Sequence, residues 1–382
     1  MKSTMPKLAS LAAFSCIWVA SAFATMEDRL DTLEKEMQEI STRNPQNTLG
    51  ARFTTASPQL EESPWFLNFD ITYWHAKMGG TEYAYSVRQA EDNRRFPLKG
   101  DVKDNDFKWD FGFKGALGYK APHNNWDLSA RYTWFQTECS TSSTKVAPSG
   151  LISLTWWEQI IASRVKSHID IDYNNLEVEF ARSYFMSHSL SLRSHLDIKS
   201  SWININRNVI LTASGLNSAP NIGVGLDYKT KEHTRFLGLG PRIGLDSQWF
   251  LGSGFNIFGD FSTSLLYGYF KNSQKNIVPP STDPTHLPDG KALNITHKFH
   301  RFIPFYQMHI GLEWARYIND DKQHVAFKLG YEIQYFWRVN QMHQPEGSIH
   351  ASSPNIATRI QFKNQSEDLM FYGITGQFRL DF

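Results

Sequence analysis

Three groups of residues have types and spacings that could do chemistry. His297, His300 and His309, among 13 histidines, invite a metal reading. A helical zinc site sets two histidines four residues apart around a glutamate, and no pair here has that arrangement, so these read as polar wall and loop residues and no metal or cofactor is expected. Gly238-Leu239-Gly240 with Gly244 has the look of a phosphate cradle. These glycines share one parity of an alternating segment with no helical pattern after them, so they read as small residues of a strand wall. The third group is larger. Asp70, Asp110, Lys114, Asp127, Arg131, Arg193, Asp197, Lys199, Arg242, Asp246, Asp260, Glu313, Lys328, Glu332, Arg379 and Asp381 each alternate with apolar neighbours. Opposed charges gathered on one face either line a wet path, where they tune ion passage, or pair with each other across an interior too narrow to conduct.

The elements that must position these charges follow from the period. From Trp65, the residues Leu67, Phe69, Ile71 and Tyr73 alternate with Asn68, Asp70 and Thr72, the two-residue repeat of a strand with one apolar face. The same repeat covers Trp109–Tyr119, Trp126–Trp134, Leu176–Tyr184, Leu190–Ile198, Leu237–Leu245, Phe255–Tyr269, Phe302–Trp314, Val325–Trp337 and Met370–Phe382. Each arm of roughly ten residues spans about 25 Å at the usual tilt, the height of the apolar band of a transmembrane β-barrel. Soluble sandwiches use shorter strands and do not repeatedly place Trp and Tyr at both ends of the apolar face. Short turns alternate with connections of about thirty residues, near 75–107, 136–167, 203–233, 271–299 and 338–367, which implies two unlike sides. The fold class is therefore all-β, an antiparallel transmembrane barrel over 65–382. It has at least ten strands, and about 12–16 if regions 151–165 and 203–229 hold more.

Composition agrees with this picture. Mean hydropathy is −0.43 although 14% of residues are aromatic, because a barrel of this kind hides its lipid face in alternate positions. With 39 basic and 38 acidic residues there is no field for gripping nucleic acid. Lys2 and Lys7, the apolar run Leu8–Ala20 and Ala22-Phe23-Ala24 have the layout of a cleaved secretory signal over 1–24. Cys16 lies within it in a poor lipoprotein box, and Cys139 alone cannot form an intramolecular bridge. Over 25–44, Met26, Leu30, Leu33, Met37 and Ile40 recur at coiled-coil spacing, followed by a linker over 45–64. That seam is either the core of a homotrimer through 26–40 or a lone helix packed on something else.

The external connections carry two further expectations. Leu154, Trp157, Ile161 and Val165 have helix-like spacing, so residues 150–165 are read as a helix narrowing the lumen, with a surface helix or an added strand as the alternatives. Arg94, Arg95, Lys99 and Lys103 read as a solvated basic face, near lipopolysaccharide phosphates. The chain ends on Phe378, Leu380 and Phe382 at alternate positions, the form of strand that outer-membrane insertion machinery reads, although Gly376 stands one position from the usual place of the glycine.

Trp65-Phe66-Leu67-Asn68-Phe69-Asp70-Ile71-Thr72-Tyr73-Trp74, Gly238-Leu239-Gly240-Pro241-Arg242-Ile243-Gly244-Leu245-Asp246, Trp249 and Leu265-Leu266-Tyr267-Gly268 resemble the Legionella major outer membrane protein-like family of pore-forming proteins, which also has members in chlamydia-like bacteria. Asp170-Ile171-Asp172-Tyr173-Asn174 and Ser191-Leu192-Arg193 fit the middle of the family pattern, which departs at Ser194-His195. The resemblance implies a bacterial outer-membrane barrel, in contact with lipid and lipopolysaccharide, that lets small solutes or ions cross passively. Both termini, the 25–44 segment included, would lie in the periplasm. With charges of both signs inside, weak ion selectivity is expected. The alternative is a barrel enzyme or adhesin acting through its long loops; nothing in the sequence selects a nucleophile or base, so no enzyme is expected.

Overall fold

The computed structural model describes residues 64–88, 100–121, 126–156, 160–187, 189–215, 223–280, 290–318, 323–349 and 358–382. They lie in the unit Thr55–Phe382. The secretory signal, the 25–44 seam and most of the linker fall outside the described residues.

The strands, in chain order, are β1 (Trp65–Met78), β2 (Ala84–Arg88), β3 (Val102–Lys103), β4 (Trp109–Lys120), β5 (Trp126–Thr144), β6 (Ser149–Ser153), β7 (Ile161–Ser187), β8 (Leu190–Ala213), β9 (Asp227–Gly252), β10 (Phe255–Val278), β11 (Gly290–Ile318), β12 (Gln323–Asn340), β13 (His343–Ile349), β14 (Thr358–Asn364) and β15 (Glu367–Asp381). Ten of them form the ring β1-β4-β5-β7-β8-β9-β10-β11-β12-β15, every pair antiparallel, and β15 returns to β1. Closure leaves no edge, the condition a sheet must meet in hydrocarbon. At the seam Trp65 and Phe382 exchange two backbone hydrogen bonds, 3.2 and 2.9 Å. Phe69 stands opposite Phe378 and Leu67 opposite Leu380, so the apolar terminal residues face outward on the closing strand.

The barrel thus has ten strands; among the described residues, regions 151–165 and 203–229 add none to the closed ring, where they lengthen β7, β8 and β9 and, outside the ring, supply most of β6. β7 has 27 residues, β9 has 26 and β11 has 29, more than twice what a membrane crossing needs. Residues 150–165 do not form the expected helix: 149–153 are β6, which pairs with both β2 and β7, and β7 starts at Ile161. The helix-like spacing arose from two strand ends joined by a bend at 154–156.

The outward face locates the membrane. Leu237, Leu239, Ile243, Leu245 and Trp249 of β9 are exposed apolar residues, a band of about 40 Å along the strand and about 30 Å in height at the usual tilt. At the end with short turns, Trp65 packs edge-on against Tyr119 and Trp126 stacks on Phe180. At the end with long connections, Trp134, Asn174, Trp202, Leu237, Tyr269 and His300 stand opposite one another strand by strand. One step further, the matching row is Gln136, Asp172, Asn204, Arg235, Lys271 and Lys298. A row rich in aromatic rings gives way within two residues to a row of only polar and charged side chains, which marks an interface.

Candidate functional site

Every strand that crosses this band turns its other face inward, and what it carries there depends on height. On the turn side, Arg131, Glu177 and Lys199 stand opposite one another on β5, β7 and β8, and the row below holds Ser129, Glu179, Asp197 and Arg242. On the loop side, Phe135, Tyr173, Ile203, Phe236, Phe270 and Phe299 form one continuous row around six strands. A charged layer therefore lies beneath an apolar one.

The charged layer is knitted by ion pairs. Lys114 Nζ meets both oxygens of Glu332 at 2.5 and 2.6 Å, linking β4 to β12 across β1 and β15. Glu332 also accepts hydrogen bonds from Gln307, Gln334 and Thr375. Arg193 gathers Asp127 (2.5 Å), Asp246 (2.7 Å) and Glu179. Arg242 reaches Asp197 at 2.5 Å and Glu177 at 3.3 Å, and donates to Gln307. Lys199 pairs with Glu177 at 2.7 Å, Lys328 lies 3.8 Å from Glu313, and Arg379 holds Asp381 at 2.7 Å. Asp110 accepts from Thr137, Asp70 from Gln377, and Asp260 lies 3.8 Å from His309. All the charged residues singled out by alternation are on the inward face. Buried charge without a partner costs several kcal/mol, so this mutual pairing is what makes such a layer tenable inside a narrow barrel.

Between these pairs remains a cavity of about 80 Å³, lined among others by Asp70, Arg131, Glu179, His195, Asp246, Asp260, His309 and Lys328. That is room for roughly five to eight waters. Arg131 Nε, Asp260 Oδ1 and His309 Nε2 find no protein partner, and water is the group small enough to satisfy them.

The apolar layer is a septum. Phe371 sits against Phe135 (centroids 5.2 Å), Tyr173 (5.0 Å) and, more distantly, Trp74 and Phe336. Tyr173 on β7 touches Phe336 on β12 at 5.6 Å and donates to Gln334 at 2.9 Å. These strands are diametrically opposed in the ring, so the lumen is crossed from wall to wall. Lys114 and Lys199 cap the layer from below, their ammonium groups 4.9 Å from the Trp74 ring and 4.0 Å from the Phe305 ring. Phe107 and Met342 of connecting segments, and Val339 near the end of β12, are buried in the same cluster. Val339 gets there through a bulge, since the β12–β15 register jumps from Phe336–Leu369 to Asn340–Glu367 with Arg338 at φ 55°. Asp368 accepts from the Arg338 backbone N–H at 2.7 Å and holds the bulge. Above the septum a second apolar cluster, including Tyr83, Leu151, Trp156, Val209 and Tyr228, shares the interior with buried polar groups, among them the Arg207–Glu232 ion pair.

The metal reading of the three histidines has no geometric support. His300 stacks outward on Tyr267, His297 contacts His343, and His309 packs edge-on to Phe258. Glu179, His195 and Asp197 bring ligand atoms within 4.8 Å of one another, but Arg193 and Arg242 already hold those carboxylates. The phosphate-cradle reading fails as well. Gly238 and Gly244 face inward, where a Cβ would run into the Phe236 and His195 rings. Glu177, Glu179, His195 and His324 belong to the interior but were not among the expected site residues. Glu177 and Glu179 alternate with Leu176, Val178 and Phe180, so the same rule would have found them. Cys139 is a buried free thiol.

Residues 57–382 match the family described as Legionella pneumophila major outer membrane protein precursor. The chain belongs to this family. Membership agrees with the closed ten-strand ring and sets the protein in the outer membrane. Among solved structures, the outer membrane protease OmpT from Escherichia coli is similar at 11% identity over 86% of this chain and 99% of its own, with a TM-score of 0.44. The toluene transporter TodX of Pseudomonas putida (11% identity, 87% and 96% coverage, TM-score 0.30) and the toluene transporter TbuX of Ralstonia pickettii (12%, 84% and 92%, 0.29) are similar more loosely. Among curated protein sequences none matches the chain. Within this family the chain combines an ion-paired, water-sized chamber with an aromatic septum above it.

Proposed function

We propose that the protein is a pore-forming outer-membrane barrel held shut in the described state, passing small ions or solutes when the septum moves. The carrying observation is the contrast of layers: a polar chamber at membrane depth, closed at one level by Trp74, Phe135, Tyr173, Phe336 and Phe371. Hydrophobic constrictions are a known means of gating. Part of this one hangs from connections, at Phe107 and Met342, so it can move without opening the wall. Short turns set the β4–β5 and β7–β8 side toward the periplasm, with both chain ends, and the long connections outside. Charges of both signs around the chamber cancel, so an open state discriminates weakly between cations and anions. We read the protein as a non-enzyme, because the carboxylates of the pairs His195–Asp197 and His324–Asp381 are already engaged by Arg242 and Arg379.

Planar-bilayer recording tests this. Folded wild type should be silent for most of the record, and Phe336→Ser/Phe371→Ser, which makes the septum smaller and wettable, should show discrete steps carried by both K⁺ and Cl⁻. A folded double variant as silent as wild type would remove the pore reading. Phe371→Ser alone serves if the double variant fails to fold.

A further inference from the structure

The outward face just beyond the loop-side girdle sorts its charges by strand. Acids stand on β5 and β7, at Glu138, Asp170 and Asp172, while β9, β10 and β11 carry cations. Arg235, Lys271 and Lys298 stand directly opposite one another, Arg235–Lys271 in one ladder and Lys271–Lys298 in the next. Four residues further along, Lys231 and Lys275 repeat the arrangement. Like charges directly opposite in a sheet are destabilising, and neighbouring strands put three of them within about 10 Å. Arg235 and Lys298 are exposed and Lys271 is half-buried. Among the described residues, no carboxylate ion pair offsets any of the three; Arg235 Nε instead donates to His233 at 2.7 Å.

A row of unopposed cations at an interface is accounted for by an anion that sits there. We propose that Arg235, Lys271 and Lys298 form a binding site for the phosphorylated sugar headgroup of an outer-leaflet glycolipid. Height and chemistry both fit. The row lies one step outside Leu237, Tyr269 and His300, which is phosphate level for a lipid whose acyl chains cover Leu239 and Phe302. Below it, His300 stacks on Tyr267 at 5.4 Å and lies 5.2 Å from Tyr269, tilted by 47°, a group of rings where the sugar meets the acyl chains. Two phosphates on one headgroup can each bridge a neighbouring pair of cations, removing the repulsion that both ladders carry.

The test uses the folded full chain in phosphatidylcholine nanodiscs containing about a tenth bis-phosphorylated lipid A, with lipid retention after detergent extraction read by native mass spectrometry. Parallel samples carry phosphatidylglycerol in its place. Wild type should retain lipid A well above phosphatidylglycerol, and Arg235→Gln/Lys271→Gln/Lys298→Gln should retain at least about tenfold less, since each surface cation is worth roughly fivefold in binding to anionic lipid. Lys166→Gln, an exposed cation on β7 outside the row, should change nothing. Should the triple variant not fold, Lys271→Gln alone breaks both ladders and should lose about fivefold. Equal retention by wild type and a folded row variant overturns the proposal, and so does equal retention of phosphatidylglycerol and lipid A by wild type.

Discussion

The two halves of β7 bury opposite chemistries. Beyond Tyr173 toward the loops, the inward residues are Val165, Ile169 and Ile171 and the outward ones Lys166, His168 and Asp170, the arrangement of an ordinary soluble barrel. From Asn175 toward the turns, Glu177 and Glu179 point inward and Leu176, Val178 and Phe180 outward. β8 reverses at the same height, between Ser201 and Ile203 on its inner face. The outer reversal is set by where lipid ends. Inside, the charged layer surrounds the water-sized chamber, and above it the inner faces of β7 and β8 are mostly apolar, with the Arg207–Glu232 pair as a buried exception. The strand is continuous, but its two ends are stabilised by different forces and should respond differently to substitution.

The largest effect should come from breaking the charged layer. Arg242→Met leaves Glu177 and Asp197 without their shared partner and should cost about 3–5 kcal/mol of unfolding free energy, measured by reversible denaturation in lipid vesicles. On the other side of the boundary, Phe371→Ala opens a void among Trp74, Phe135 and Tyr173 and should cost about 3–4 kcal/mol. The two variants differ in how they are rescued: a small apolar guest should refill the Phe371→Ala void and leave Arg242→Met unchanged. On the outer face, Ile243→Lys near mid-membrane should cost about 2–4 kcal/mol. The same lysine introduced at Thr296, an exposed residue of β11 beyond the girdle, should cost less than about 0.5 kcal/mol. Equal costs at these two positions would place the lipid boundary elsewhere.

The reversal also explains which parts of the fold were legible in the sequence. Arms such as 237–245 and 176–184 are plain because lipid demands apolar residues at one parity, and the charges between them then point inward by geometry alone. Past the girdle the apolar parity switches, as from Leu176 to Tyr173. A template that keeps one parity therefore ends its arms at Leu176 and Ile198 and reads 136–167 and 203–233 as connections, although strand continues into both. That switch is why strands of 24 to 29 residues were expected to be arms of about ten. It is also why Val165 lent itself to a helix. The septum was illegible for a further reason: Phe135, Tyr173, Phe336 and Phe371 are far apart in sequence and meet only because the ring closes.

The most direct test of the layered interior is the distribution of ordered water in a high-resolution crystal structure of the folded protein. Waters should fill the chamber beside Arg131, Asp260 and His309 and be missing at the level where Tyr173 meets Phe336 and Phe371. A continuous file of waters through that level would contradict the account.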